Sequence, residues 1–195
     1  MSNKDKENID FDALTYGITD GGLRSTLEIN LLICYLVVNS KYRLTEKLVT
    51  DTLTEGEIAN YFEAASALKK LIERKTIVYD DSRHLIPGSN CENLMDLVEN
   101  DLPYSIRKKS IELSAKLAVK ELYREENKVE INKNEDGSCS VTMQIQEQAK
   151  DFMTLTLNLP TSAQAEMVKE RFYDNPPKLY KNLIDYLFED ESSSD

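Results

Sequence analysis

The side chains that could do chemistry in this 195-residue chain are one histidine, three cysteines and two groups of bases. His84 stands alone, and acid–base catalysis or metal ligation would need carboxylate or cysteine partners folded against it. A lone histidine in a hairpin reads as structural. Cys34, Cys91 and Cys139 are odd in number and widely spaced, which argues against a disulfide framework and against a zinc site. Cys34 and Cys139 read as small core residues. Cys91 falls in the first turn of a predicted helix, where a lowered thiol pKa would suit redox sensing. Gly21-Gly22-Leu23-Arg24 lacks the Gly-Lys-Ser/Thr of a phosphate loop and the strand context of a dinucleotide site. It reads as a turn that sets an arm against the first helix, with Arg24 paired to an acid. No Ser-His-Asp set, zinc spacing or paired-carboxylate site stands out, so the residues make no case for an enzyme or a cofactor.

The bases point elsewhere. Glu63, Ser66, Lys69, Lys70, Glu73 and Arg74 fall on the outward side of a predicted helix that starts at Tyr61, and Arg83 follows in a hairpin turn. Lys109, Lys116, Lys120 and Arg124 share one side of a later helix. Lysine and arginine meet phosphates, and Ser66 or Tyr61 could reach base edges. The candidate DNA contacts are therefore Tyr61, Ser66, Lys69, Lys70, Arg74, Arg83, Lys109, Lys116 and Lys120. The charge balance pulls the other way. The formal net charge is −11, from 24 Lys+Arg against 35 Asp+Glu, so any polyanion contact must come from a local patch. From Lys41 to Arg83 eight bases meet eight acids, and Asp80 and Asp81 sit at the hairpin tip. Between Tyr104 and Arg124 six bases meet two acids, the most positive stretch of the chain. Both patterns also fit a solvated face or a surface that docks protein. DNA, a protein partner and a second copy of the chain all stand as expected partners.

The elements that must position these residues can be read in order. Hydrophobic residues make up 41% and charged residues 30%, ordinary for a globular chain of one or two domains. Residues 1–24 form an N-terminal arm. A helix from about Ser25 to Val38 ends in LLICYLVV, apolar on every side, which implies burial or a shared face. Thr45 caps the next helix, with Leu44 packing on Val49, and Gly56 lies near its end. Asn60 with Glu63 forms a capping box for a third helix to Arg74, whose Ala64, Ala65, Leu68, Leu71 and Ile72 follow helical spacing. Thr76–Tyr79 and His84–Ile86 make a hairpin. Three helices followed by a hairpin is the order of a winged helix-turn-helix over 25–103, with the third helix as reader.

Ser89 to Glu92 looks like another capping box, opening a short helix through Leu94, Leu97 and Val98 that Pro103 breaks. A connecting helix spans 104–126, with Ile111, Ala115, Ala118, Val119 and Leu122 on its apolar face. Residues 127–188 then change character. Val129 and Ile131, then Cys139 to Ile145, then Met153 to Leu159 alternate apolar with polar, a three-stranded antiparallel meander with one apolar face. Two helices, begun at Thr161 and at Pro176-Pro177, should cover that face. Residues 189–195 are an acidic, serine-rich tail. The expected class is α+β. The unpaired cysteines, the polar N-terminus and a longest apolar run of only Leu31–Val38 favour the cytoplasm and no membrane contact.

Five stretches occur together in order: Phe11-Asp12-Ala13-Leu14-Thr15-Tyr16-Gly17, Gly21-Gly22-Leu23-Arg24, Ile33-Cys34-Tyr35-Leu36, Ala59-Asn60-Tyr61-Phe62-Glu63 and Leu102-Pro103-Tyr104-Ser105-Ile106-Arg107. With them the chain resembles, from about Phe11 to Leu187, a family of uncharacterised proteins of Gram-positive bacteria, domain-of-unknown-function family 4364. The resemblance implies a winged-helix N-terminal half, distantly similar to PadR- and MarR-type repressors. It implies no catalytic residues.

Overall fold

The computed structural model describes residues 25–95, 98, 101–147 and 150–188. The arm over 1–24, with the glycine turn and Arg24, lies outside the described residues, as do Leu97 and the tail over 189–195. Contacts divide the chain into two compact units, before and after the Ala118–Val119 bond. Among the described residues no helix is long and apolar enough to cross a membrane.

The first unit holds α1 (Thr26–Asn39), α2 (Glu46–Glu55), α3 (Tyr61–Glu73), a hairpin of β1 (Ile77–Tyr79) with β2 (Leu85–Pro87), and a short 3-10 turn (Glu92–Leu94). Ser25 caps α1: its side chain accepts from the Leu27 N–H, and Glu28 reaches back to the Ser25 N–H at 3.1 Å. With its start so fixed, α1 buries Ile29, Leu31, Leu32, Ile33, Cys34, Leu36 and Val37. A helix this apolar is the centre of the core rather than a surface element. α3 packs on α1 and α2, and β2 packs on α1. Thr45 caps α2, accepting from the Leu48 N–H at 3.1 Å, and Gly56 closes it. Leu44 is buried and its carbonyl accepts from the Leu85 N–H at 2.7 Å, so it joins the hairpin to the helices.

Two expectations change before the meander. Among the described residues Ser89 makes no cap bond; Cys91 precedes the 3-10 turn and makes no side-chain cap bond. Cys91 is instead drawn into the core, with its Sγ 4.0 Å from the Cys34 carbonyl oxygen. α4 (Tyr104–Glu126) buries Ser110, Ser114 and Ala118, while Leu122 is exposed. Both serine hydroxyls are satisfied within the helix, donating to the Arg107 and Ile111 carbonyls, so their burial leaves no polar group unpaired.

The second unit holds β3 (Lys128–Lys133), β4 (Cys139–Glu147), β5 (Lys150–Leu159), α5 (Ser162–Asp174) and α6 (Pro176–Phe188). The strands form an antiparallel meander in the order β3-β4-β5. Ile131 faces Val141, which faces Leu157, and a register shift falls between Ile145 and Gln146. Thr161 caps α5 by accepting from the Gln164 N–H. The inward residues of β4 are buried, with Ala165, Phe172 and Tyr173 of α5 over them. Cover thins toward β5: Met153, Leu155 and Leu159 are half-buried and Leu157 is exposed.

Candidate nucleic-acid interface

The outward face of α3 is the best-formed candidate. Asn60 starts the helix by accepting from the Glu63 N–H at 2.9 Å. Ala64, Ala67, Leu68 and Leu71 are buried, which turns Tyr61, Phe62, Ser66, Lys69, Lys70 and Glu73 to the surface. Lys69 lies 3.9 Å from Glu73 one turn on. Lys70 and Arg74 are exposed and hold no ion pair among the described residues. Glu63 does not join the outward set. It is half-buried, and its Oε2 is buried without a hydrogen-bond partner among the described residues.

The end of α3 is fixed by a C-terminal lock. The Thr76 N–H donates to the Leu71 carbonyl and the Lys75 N–H to the Ile72 carbonyl, both at 2.9 Å, with Lys75 at φ 58°. This is the Schellman arrangement, in a residue other than glycine. Gly88 then closes the hairpin onto the same point. Its N–H donates to the Thr76 carbonyl at 2.8 Å, and a Cβ there would lie 2.0 Å from the Lys75 oxygen.

The hairpin tip is built around Asp80. Its side chain accepts from the Ser82 and His84 N–H groups at 2.9 and 2.8 Å. The His84 N–H bond, ahead of smaller influences, holds this carboxyl below its ordinary value. The tip acid is therefore the acceptor that shapes the turn. His84 Nδ1 lies 3.4 Å from Asp80 Oδ2, and among the described residues no cluster of His, Cys, Asp or Glu could hold a metal. Arg83, at φ 64°, sits with its guanidinium 5.4 Å from the centre of the Tyr79 ring. The Tyr79 hydroxyl donates to Glu46, which raises the phenol's pKa and ties the hairpin to α2. Between α2 and α3 lies a cleft of about 430 Å3 lined by Glu46, Lys47, Thr50, Asp51, Tyr61 and Ala65.

The expected stripe on α4 divides. Lys109 and Lys116 are exposed and hold no ion pair among the described residues. Lys120 is drawn inward, 2.9 Å from Asp174 and 3.1 Å from Glu170, and Arg124 lies 2.6 Å from Glu170. Burial is the largest influence on Lys120 and pushes its amine down. The hydrogen bonds to Asp174 and Glu170 together outweigh it, and the pKa is raised. Burial likewise pushes Glu170 up, but Lys120 and Arg124 prevail and hold it down. Lys120 would reach a phosphate only by leaving two carboxylates.

Phe62 was not among the expected residues. It is 82% exposed and stands on the ridge shared by Ser66, Lys69 and Glu73. The spacing 62, 66, 69, 73 carried that signal, but the residue reads first as part of a helix cap. Cys91 has the lowered pKa expected of it for another reason: a thiol–thiol hydrogen bond lowers Cys91 and raises Cys34. Both sulfurs are fully buried, away from the exposure that thiol chemistry needs.

No curated protein matches the chain, and no solved structure does. The profile of one family, described as Domain of unknown function (DUF4364), matches residues 29–187, from the core of α1 to the last turn of α6. The chain belongs to that family.

Proposed function

We propose that the first unit is a winged helix-turn-helix and that the protein is a non-enzymatic, DNA-binding transcriptional regulator of the cell interior. The observation that carries this reading is the two-sidedness of α3: apolar residues inward, and Ser66, Lys69, Lys70 and Arg74 outward. α3 acts as the reader in the major groove and the β1-β2 hairpin as the wing. Lys70 and Arg74 meet phosphates, Ser66 reaches a base edge, and Lys109 and Lys116 add backbone contacts. The use of Asp80 within its own turn supports the reading, because it accounts for an acid at the tip on structural grounds.

Selection of fragments from genomic DNA by the full chain, at low and moderate salt, tests it. Enriched sequences whose affinity falls with salt are expected. Lys70→Ala and Arg74→Ala should each reduce the slope of log K against log salt by about 0.9. No enrichment and no salt-dependent binding would refute the proposal.

A second reading rests on Phe62, 82% exposed beside Tyr61, with their rings in edge contact at 5.8 Å. Exposed aromatics are the anchors of protein docking. On that reading the face binds protein, and Phe62→Ala abolishes partner capture while Lys70→Ala leaves it intact.

A further inference from the structure

The two edges of the C-terminal sheet are built differently. β3 carries Lys128, Glu130 and Lys133 along its length, the charges that keep an edge from pairing with another chain. β5 is the other edge, ten residues long, and from Phe152 to Leu159 it has no charge, no proline and no glycine. Among the described residues it pairs with β4 alone. A long uncharged edge of this kind invites a further strand.

The side chains beside this edge are also uncovered. Val141 and Met143 of β4 are 0% and 1% exposed, whereas Leu157 and Phe152 of β5 are 37% and 49% exposed. Met167 of α5 is 65% exposed. A largely apolar cleft of about 250 Å3 opens there, lined by Leu155, Leu157, Met167, Val168 and Leu179 with one charged residue, Arg171.

We propose that β5 pairs antiparallel with β5 of a second copy across a two-fold axis, joining the two meanders into one six-stranded sheet. The sequence of β5 suits itself in that arrangement. Pairing centred on Leu155 sets Thr154 against the second copy's Thr156 and Met153 against its Leu157. Because an antiparallel two-fold keeps the period of two in phase, apolar side chains continue on one face and hydroxyls on the other. The cleft of each copy is then closed by the Met153–Leu159 row and α5 of its mate. An edge of ten residues is about 34 Å long. With the flanking helix layer, roughly 20 Å deep in all, it offers about 700 Å2 per copy, close to the ~800 Å2 of a standard interface. The contact lies wholly in the C-terminal unit and does not depend on DNA binding.

Sedimentation equilibrium and amide hydrogen exchange on the full chain test the assignment. The wild type is expected at twice its 22.3 kDa mass, with slow exchange at β5 amides that do not bond to β4. Thr154→Lys with Thr156→Lys places like charges opposite one another, and should weaken association at least tenfold and release those amides, with far-ultraviolet dichroism unchanged. Thr154→Lys alone spares the 3.0 Å Thr142–Thr156 hydroxyl bond and should act in the same direction. Asn132→Lys on β3 should leave the dimer intact. A wild type monomeric at about 100 μM, a dimer indifferent to lysine on β5, or β5 amides equally fast in both proteins would overturn the proposal.

Discussion

Gly88→Ala isolates one steric contact that holds the hairpin to the end of α3. Gly88 is not among the residues at positive φ, so alanine meets no torsional objection. The added Cβ would lie 2.0 Å from the Lys75 carbonyl oxygen and 3.0 Å from the Lys75 carbon and the Thr76 oxygen. Ordinary contact needs about 3.4 Å, so backbone must part by more than ~1 Å. Both sides are main chain, and neither can swing away as a flexible side chain would. The movement breaks the 2.8 Å bond from the Gly88 N–H to the Thr76 carbonyl, a loss of about 1 kcal/mol. Overpacking strain adds about 1–3 kcal/mol. The expected cost is about 2–4 kcal/mol, a large share of the ~5–15 kcal/mol that holds a typical protein folded. At ~2–4 °C per kcal/mol the melting point should fall by roughly 5–15 °C. Gly137→Ala is the control. Gly137 has φ 85° with nothing within 4 Å of a built Cβ, so it meets a torsional penalty of ~1 kcal/mol and no clash. Urea unfolding followed by dichroism reads both. If Gly88→Ala costs no more than Gly137→Ala, the close approach is not the constraint inferred from the geometry. Because the clash lies beside the α3 lock, the proposed DNA affinity should fall with stability for Gly88→Ala and stay unchanged for Gly137→Ala.

Three further outcomes follow from the same geometry. Lys75→Gly relieves the left-handed strain at φ 58° in the α3 lock and should stabilise the first unit by about 0.5–1 kcal/mol in urea unfolding. Asp80→Ala removes the acceptor for the Ser82 and His84 N–H groups, and amide exchange at both should accelerate while exchange within α3 stays unchanged. Lys120→Met removes one base from Asp174 and one of the two bases that hold Glu170, which keeps Arg124, and should cost about 1–2 kcal/mol near neutral pH, a value discounted for partial exposure. Its pH dependence has a definite sign. Glu170 is held low, so its contribution is present above the unfolded carboxylate value near ~4.3 and is lost as pH falls through the folded value. Lys120 is raised, so its contribution is present below the unfolded value near ~10.4 and is lost only above it. The difference between wild type and Lys120→Met should therefore be greatest between these limits and shrink in acid.

Much of the local structure was legible because it depends on near neighbours. The caps at Thr45, Asn60 and Thr161 are hydrogen bonds over three residues, and their side-chain types announce them. The meander was legible because alternation at a period of two has one structural meaning. What escaped depends on distant partners. Ser89 has the type of a cap, but burial of Cys91 against Cys34, 57 residues away, decides where that segment turns. Lys120 has the spacing of a basic stripe, but Asp174, 54 residues on, claims it. Helical periodicity on α4 favoured Leu122 over Ser110, yet Ser110 is buried and Leu122 is exposed. The outward face of α3 was legible apart from Phe62 and Glu63, where the capping motif masked which side chain faces solvent.

The net charge of −11 says less about DNA than it first suggests, because charge acts through what remains unpaired near the contact. Asp80 is held by two backbone donors inside its own turn, and Glu170 and Asp174 are held by Lys120 and Arg124. The acids engaged in this way shape the two units, and the donors and bases fixed beside them offset part of their repulsion of an approaching phosphate. On α3 the balance is local: Glu73 screens Lys69 at 3.9 Å, while Lys70 and Arg74 stay unpaired among the described residues. Glu73→Gln should therefore strengthen proposed DNA binding at low salt by releasing Lys69, and Lys69→Ala should matter more in that background than in the wild type. Equal effects of Lys69→Ala in both backgrounds would mean that the pair does not govern the face, and the charge of the whole chain would regain its weight against DNA.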